Sequence, residues 1–174
     1  LSAEQLTALM SAVREAFDLS ACREFTVEAG RPDTVTEEKL MAIKRCGATR
    51  ISINPQTMND TVLEKIGRRH TVEQVIEAYH MAREIGFDNI NMDLILGLPG
   101  EAWEEIVAQA DCISKLPLDT LKLHQLQIVR GTKMAQEFAD ESADFRLFTV
   151  EEYAALVADF LERLDTRIAV ERFT

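Results

Sequence analysis

The sequence predicts an α/β protein, a partial barrel of parallel strands, and three observations lead there. Four short segments, Glu24–Glu28, Arg50–Asn54, Asn89–Asp93 and Leu121–His124, alternate apolar and polar residues. Each adjoins a helix-like stretch, which implies parallel strands joined by crossover helices. Their polar positions are carboxylates, amides and bases, whereas an ordinary eight-stranded barrel fills its interior with Val, Ile and Leu. Such a lining predicts a wide, hydrated lumen that holds a ligand.

Taken in order, the elements begin with a helix capped by Ser2, with Gln5 at the reciprocal position and Leu6, Leu9, Met10, Val13 and Phe17 as its apolar stripe. In the first strand, Phe25 and Val27 face helices and Glu24, Thr26 and Glu28 face the lumen. A helix opens at Thr36, carries Lys39, Leu40 and Ile43, and ends near Gly47. The second strand turns Ile51 and Ile53 outward and Arg50, Ser52 and Asn54 inward. Asn59 or Asp60 begins a short turn through Leu63 and Ile66, and Thr71 caps a longer helix stopped at Gly86. The third strand places Ile90 and Met92 outward and Asn89, Asn91 and Asp93 inward. Helix 101–116 follows, entered through Leu98-Pro99-Gly100 and ended before Pro117. The fourth strand sends Lys122 and His124 inward. The least organised stretch is 134–148, where Glu137, Asp140, Glu141 and Asp144 read as a solvated acidic face or loop. Thr149-Val-Glu-Glu152 is a capping box for a helix to about Leu164, and 168–170 reads as a final strand. No Gly or Pro cluster divides the array, so residues 1–174 are expected to form a single domain.

The 174 residues, 47% hydrophobic and 28% charged, suffice for one core. A net charge of −11 disfavours nucleic acid as a partner, because phosphate contacts need clustered Lys and Arg. No apolar run is long enough to predict a membrane span, and Leu1 opens directly into a helix without a signal-peptide pattern, so a cytoplasmic location is expected. Cys22, Cys46 and Cys112 lie far apart and odd in number, which argues against a disulfide framework.

The polar strand ends carry any chemistry. Asp93, followed by Leu94-Ile-Leu-Gly-Leu-Pro99, places a carboxylate where βα loops converge; it reads as a ligand contact, as a cap on nearby backbone or as a partner of Arg50. Glu28 precedes a tight exit, Ala-Gly-Arg-Pro, and fits an ion pair or a ligand contact equally. Gln56 suits a ribose or an amide, or else stabilises its turn. Arg68-Arg69-His70 can grip a carboxylate or form a solvated charge run. His80 and His124 have no partner at metal-ligand spacing, so no metal ligand is assigned, and Cys46 is expected to be inert near a helix end.

Val27-Glu-Ala-Gly-Arg-Pro-Asp-Thr34, Arg50-Ile-Ser-Ile-Asn-Pro-Gln-Thr-Met-Asn59, Ile66-Gly-Arg-Arg-His70 and the run from Ala82 to Glu101 together form a dense pattern. It resembles the radical S-adenosylmethionine enzymes of the oxygen-independent coproporphyrinogen III oxidase (coproporphyrinogen dehydrogenase) group, over about residues 1–115. Leu121-Lys-Leu-His-Gln-Leu-Gln-Ile-Val-Arg-Gly-Thr132 and the segments 147–153 and 171–174 look more like a neighbouring, uncharacterised radical S-adenosylmethionine family. The lineage either sits between the two or is a fusion.

The resemblance implies a partial (β/α)6 barrel, S-adenosylmethionine as cofactor, and a porphyrinogen substrate whose propionate side chains are oxidatively decarboxylated. By motif position, Glu28 and Arg68 correspond to contacts with the methionine part, Arg68 on its carboxylate. Gln56 and Asp93 correspond to ribose contacts, and the backbone around Gln127 to the adenine contact. The family holds a four-iron four-sulfur cluster on Cys-x-x-x-Cys-x-x-Cys and rests the methionine amine on Gly-Gly; this sequence contains neither motif. The resemblance therefore implies the C-terminal two-thirds of the barrel core, with the N-terminal strands and cluster ligands missing, no catalytic acid or base assigned, and no activity by itself. An edge strand left unpaired by that cut is expected to drive self-association. The alternatives are a radical S-adenosylmethionine protein for another substrate class, a non-catalytic small-molecule-binding barrel fragment, and a structural or regulatory relic that binds nothing.

Overall fold

The computed structural model describes residues 1–140, 142, 145 and 147–173. Its centre is a sheet of five parallel strands in sequential order: β1 (Thr26–Gly30), β2 (Arg50–Ile53), β3 (Ile90–Leu96), β4 (Thr120–Gln125) and β5 (Ala169–Arg172). Helix α1 (Ala3–Ala16) precedes β1, and α2 (Glu37–Arg45) links β1 to β2. The β2–β3 connection carries α3 (Asp60–Lys65) and α4 (Val72–Glu84); α5 (Trp103–Ile113) links β3 to β4, and α6 (Lys133–Ala139) and α7 (Val150–Arg163) precede β5.

Local capping chemistry starts α1, α4 and α7 where the sequence says. The Ser2 hydroxyl accepts the Gln5 N–H while Ser2 N–H donates back to the Gln5 side chain, and Thr71 with Gln74 and Thr149 with Glu152 repeat the device. The strand alternation then decides which face is buried. Ile51, Ile53, Ile90, Met92, Leu94, Leu96, Leu121 and Leu123 are fully buried, and they share one core with Leu40 of α2, Tyr79 of α4, Ile106 of α5 and Phe160 of α7. The opposite face is polar and bonded across strands. Arg50 Nη2 donates to Asn91 Oδ1 at 3.1 Å and to Thr120 Oγ1 at 2.9 Å, and Asn91 Nδ2 donates to Ser52 Oγ and to Asp93 Oδ1, each at 2.7 Å.

One ion pair shows that the sheet is curled. Arg50 on β2 lies 2.7 Å from Glu171 on β5, three strands away. In a flat sheet that separation is about 14 Å, at roughly 4.8 Å per strand. The two side chains meet because the sheet bends around its polar face, as a barrel wall does.

Several elements differ from the sequence expectation. The first strand starts at Thr26 because Phe25 N–H is taken by the Thr49 hydroxyl at 2.8 Å, off the regular ladder. The third runs on past Asp93 to Leu96, since β4 pairs with it through Leu96↔Gln125. Helix α5 begins at Trp103 because Glu101 turns inward and accepts hydrogen bonds from the Thr57 hydroxyl, the Leu98 N–H and the Gln109 side chain. The stretch expected to be least organised contains α6, which Thr132 caps and a Lys133–Glu137 pair at 2.9 Å supports, and which buries no residue. Of the acidic residues there, Glu137 and Asp140 belong to α6 and its C-cap, while Glu141 and Asp144 lie outside the described residues. The last strand continues to Arg172. Among the described residues β1 pairs only with β2, and a groove of about 300 Å³ lined mostly by apolar side chains, including Leu6, Val27, Val35 and Leu40, runs beside it. No helix among the described residues is long and apolar enough to cross a membrane.

Candidate functional site

At the C-terminal ends of the strands the polar face opens into a cavity of about 480 Å³. It is lined by Glu28 from β1, Asn54 and Gln56 after β2, Asp93 and Ile95 from β3, His124 and Gln125 from β4, Leu126 and Gln127 after it, and Arg172 from β5. A rim of this kind is where βα architectures bind ligands, because successive loops converge there.

Glu28 Oε1 accepts from Asn54 Nδ2 at 2.9 Å, and Ser52 Oγ donates to Asn54 Oδ1 at 2.7 Å, so the β1 carboxylate is steered by the end of β2. Asp93 accepts from Asn91 through Oδ1, and its Oδ2 lies 3.7 Å from His124 Nε2. Asp93 is therefore not the partner of Arg50, which is engaged by Glu24 at 3.3 Å and Glu171 at 2.7 Å.

Gln56 is held differently. Its N–H donates to Asp93 O at 3.1 Å and its C=O accepts from Ile95 N–H at 2.8 Å, which pins the residue against β3. Its φ is +73°, the left-handed region, and no other non-glycine residue described has a positive φ. Holding a non-glycine residue there costs roughly 1–3 kcal/mol, so the surroundings must over-determine it. They do so from beneath. Gln109, buried on α5, accepts from Met58 N–H at 2.7 Å and donates to Glu101 Oε1 at 2.9 Å; Thr57 donates to Glu101 at 2.7 Å, and Glu101 Oε2 accepts from Leu98 N–H at 3.0 Å. Burial pushes the Glu101 carboxyl above its ordinary value, opposed by the donors from Thr57, Leu98, Gln109 and Gly97. His70 completes the support: burial lowers its proton affinity, and the neutral ring sets Nε2 3.2 Å from Pro55 O. We expect Gln56→Gly to preserve or raise folding stability, by up to about 1 kcal/mol, as relief of strain outweighs the entropy of glycine. A lowered urea midpoint would show that the Gln56 side chain supports the fold.

The structure thus brings four of the five sequence-predicted site residues, Glu28, Gln56, Asp93 and Gln127, to one cavity. It does not place Arg68 there: Arg68 is half-buried after α3, its N–H bonded to Leu63 O at 2.8 Å, and neither it nor Arg69 nor His70 lines the cavity. Sequence reasoning passed over Arg172, which lies beyond the expected last strand and which simple alternation from Ile168 and Val170 would turn away from the cavity.

Carboxylates and amides around a polar cavity fit a ligand rich in hydroxyl, amine and ring-nitrogen groups, and S-adenosylmethionine is such a ligand. The chain's thiols do not fit an iron–sulfur cluster at this rim. Cys22 precedes β1, Cys46 caps the C-terminus of α2 before β2, and Cys112 lies near the end of α5 before β4, so all three sit toward the opposite end of the strands.

Fold and cavity define a class: a curled, parallel βα sheet with a polar, ligand-sized site at its C-terminal rim. Within that class the chain belongs to the radical SAM superfamily, whose family model matches residues 7–113; a model of the radical SAM C-terminal domain matches residues 118–174. Strands β3 and β4 pair across that junction, from Asn91↔Thr120 to Leu96↔Gln125. The chain is similar to the oxygen-independent coproporphyrinogen-III oxidase-like protein HemZ of Bacillus subtilis, 45% identical over 137 residues, covering 78% of this chain and 27% of that protein. It is 38% identical to the heme chaperone HemW of Lactococcus lactis over 126 residues, 72% of this chain and 33% of that one. Among solved structures it resembles coproporphyrinogen III oxidase (HemN) of Escherichia coli, a radical SAM enzyme, with a TM-score of 0.79 and 25% identity, over 93% of this chain and 36% of the other. The chain therefore spans about a quarter to a third of the length of these curated relatives. The family's chemistry employs S-adenosylmethionine and a four-iron four-sulfur cluster in the intact enzyme.

Proposed function

We propose that the chain forms the S-adenosylmethionine-binding wall of a radical S-adenosylmethionine enzyme of porphyrin metabolism, with oxidative decarboxylation of coproporphyrinogen III propionates as the reaction of the intact protein. The observation that carries this reading is the meeting of Glu28, Gln56, Asp93 and Gln127 at one cavity. In it, Glu28 contacts the methionine part, Gln56 and Asp93 take the ribose hydroxyls, and the Gln127 backbone meets the adenine. Arg68 is assigned the methionine carboxylate by motif position alone. S-adenosylmethionine, when bound, supplies the means of hydrogen abstraction; the residues of this chain bind and orient. Asp93 suits the ribose because a carboxylate accepts two hydroxyls at once, and Asn91 fixes its rotamer from behind. The similarity to HemW supports a second reading, in which the intact protein handles heme as cargo.

Calorimetric titration with S-adenosylmethionine tests the first reading. Asp93→Asn is expected to weaken binding by about 1.5–3 kcal/mol, roughly tenfold or more, because an amide keeps the shape but replaces an acceptor with a donor. Its effect on the unfolding midpoint is expected to be smaller. An unaltered affinity would remove Asp93 from the site, and heme binding at the same cavity would favour the second reading.

A further inference from the structure

We propose that the β4–β5 wall of the cavity is a second subsite, in which Arg172 and His124 take the oxyanion, carboxylate or phosphate, of a small acidic substrate. The proposal rests on the reading above only in giving the opposite wall to S-adenosylmethionine. Its starting point is a bulge. Strands β4 and β5 pair as Thr120↔Ala169 and Leu121↔Val170, and then the register slips so that Lys122 faces Arg172 instead of Glu171. Without the slip Arg172 would lie opposite Leu123, on the helix-packed face. The extra residue re-aims Arg172 into the cavity and leaves Glu171 free to reach Arg50, and bulges beside functional sites commonly redirect a side chain in this way.

The charges on the polar face then sort into two layers along the strands. In the deep layer, Arg50 and Lys122 are met by Glu24 and Glu171, with Arg50 3.3 Å from Glu24, Arg50 2.7 Å from Glu171 and Lys122 3.9 Å from Glu171. Two cations and two anions leave that layer saturated. In the cavity layer the carboxylates Glu28 and Asp93 stand on the β1–β3 side, and the guanidinium of Arg172 stands on β5 beside the His124 imidazole of β4. Asp93 Oδ2 is 3.7 Å from His124 Nε2, too long for a hydrogen bond, so the imidazole is not consumed by that carboxylate. Arg172 is exposed to the cavity and makes no ion pair or hydrogen bond among the described residues. An arginine turned into a cavity by a bulge, with a planar fork of donors unspent, suits an oxyanion arriving from solution. A net charge of −11 disfavours such a ligand over the surface as a whole, which makes a local unspent guanidinium the more selective.

The test is calorimetric titration of the 174-residue chain with glutarate and, separately, with inorganic phosphate, alone and with S-adenosylmethionine at saturation. One of the two anions is expected to bind, the tighter one identifying a carboxylate or a phosphate substrate. Arg172→Ala is expected to weaken that binding about tenfold or more, and Arg172→Lys, which keeps the charge but not the fork, to fall between. Arg172 is exposed, so the variants are expected to unfold at the parent midpoint, and His124→Ala serves as the second probe of the same wall. Anion binding is expected to persist when S-adenosylmethionine is present. Binding of neither anion, or an affinity within about twofold in both Arg172→Ala and His124→Ala, overturns the subsite. Competitive displacement of the anion by S-adenosylmethionine also overturns it, since the wall would then hold the carboxylate of that ligand. Anion binding without any S-adenosylmethionine binding sinks the proposed function and leaves the subsite standing.

Discussion

Arg50→Ala is expected to lower the free energy of unfolding by about 3 kcal/mol, the lower end of the range for breaking a buried ion pair from one side. The Arg50 side chain is only 8% exposed and touches residues on or beside every other strand: Glu24 before β1, Asn91 on β3, Thr120 on β4 and Glu171 on β5. Removing it leaves Glu171 and the Asn91 carbonyl at the bottom of the cavity without their cation, and the curl of the sheet loses the contact that spans β2 to β5. The lower end of the range applies because Glu24 and Glu171, 51% and 31% exposed, regain water. Glu24→Gln is the control, expected to cost under about 1 kcal/mol as an exposed partner does. Urea unfolding distinguishes the two, and a loss below about 1 kcal/mol for Arg50→Ala would show that the sheet curls without this arginine.

Gln109→Leu is expected to cost about 2–4 kcal/mol, although the two side chains are close in size. Its amide oxygen is the acceptor for Met58 N–H and its nitrogen donates to Glu101, so the substitution orphans one buried donor and strips one hydrogen bond from a half-buried carboxylate. The pH dependence gives the signature. Burial raises the Glu101 pKa above its ordinary 4.5, so the folded state holds this proton where the unfolded chain has released it. The contribution of Glu101 to stability therefore falls as pH rises from about 4.5 through its raised value. Without Gln109 that value rises further, so the variant loses more stability relative to the parent at pH 8 than at pH 5. Unfolding curves at the two pH values check this, and an equal loss at both would detach Glu101 from the effect. The same variant frees the loop that carries Gln56, and S-adenosylmethionine affinity is expected to fall with it.

Periodicity and capping by themselves determined the βα order, the start of five of the seven α-helices among the described residues and the division of each strand into an outward apolar and an inward polar edge. These are local properties: a hydroxyl finds the N–H three residues on, and a side chain alternates with the pleat, whatever lies elsewhere in the chain. The motif pattern also singled out Glu28, Gln56, Asp93 and Gln127, which the fold gathers at one cavity. Only the tertiary structure decided how polar residues were shared between ligand site and scaffold. Asp93 and Arg50 both face inward, yet Asp93 pairs with Asn91 while Arg50 reaches past two strands to Glu171, a choice set by the curl of the sheet. Glu101 read as the start of a helix and became a half-buried anchor between a loop and α5, because Thr57 and Gln109 arrive from positions 44 and 8 residues away. Arg172 lay beyond the expected last strand, and its place in the cavity depends on a slip of register against β4 that no local pattern encodes. Long-range hydrogen bonding settles such matters, since the side a residue faces is inherited from its strand, while the partner it finds depends on how distant strands are registered and bent.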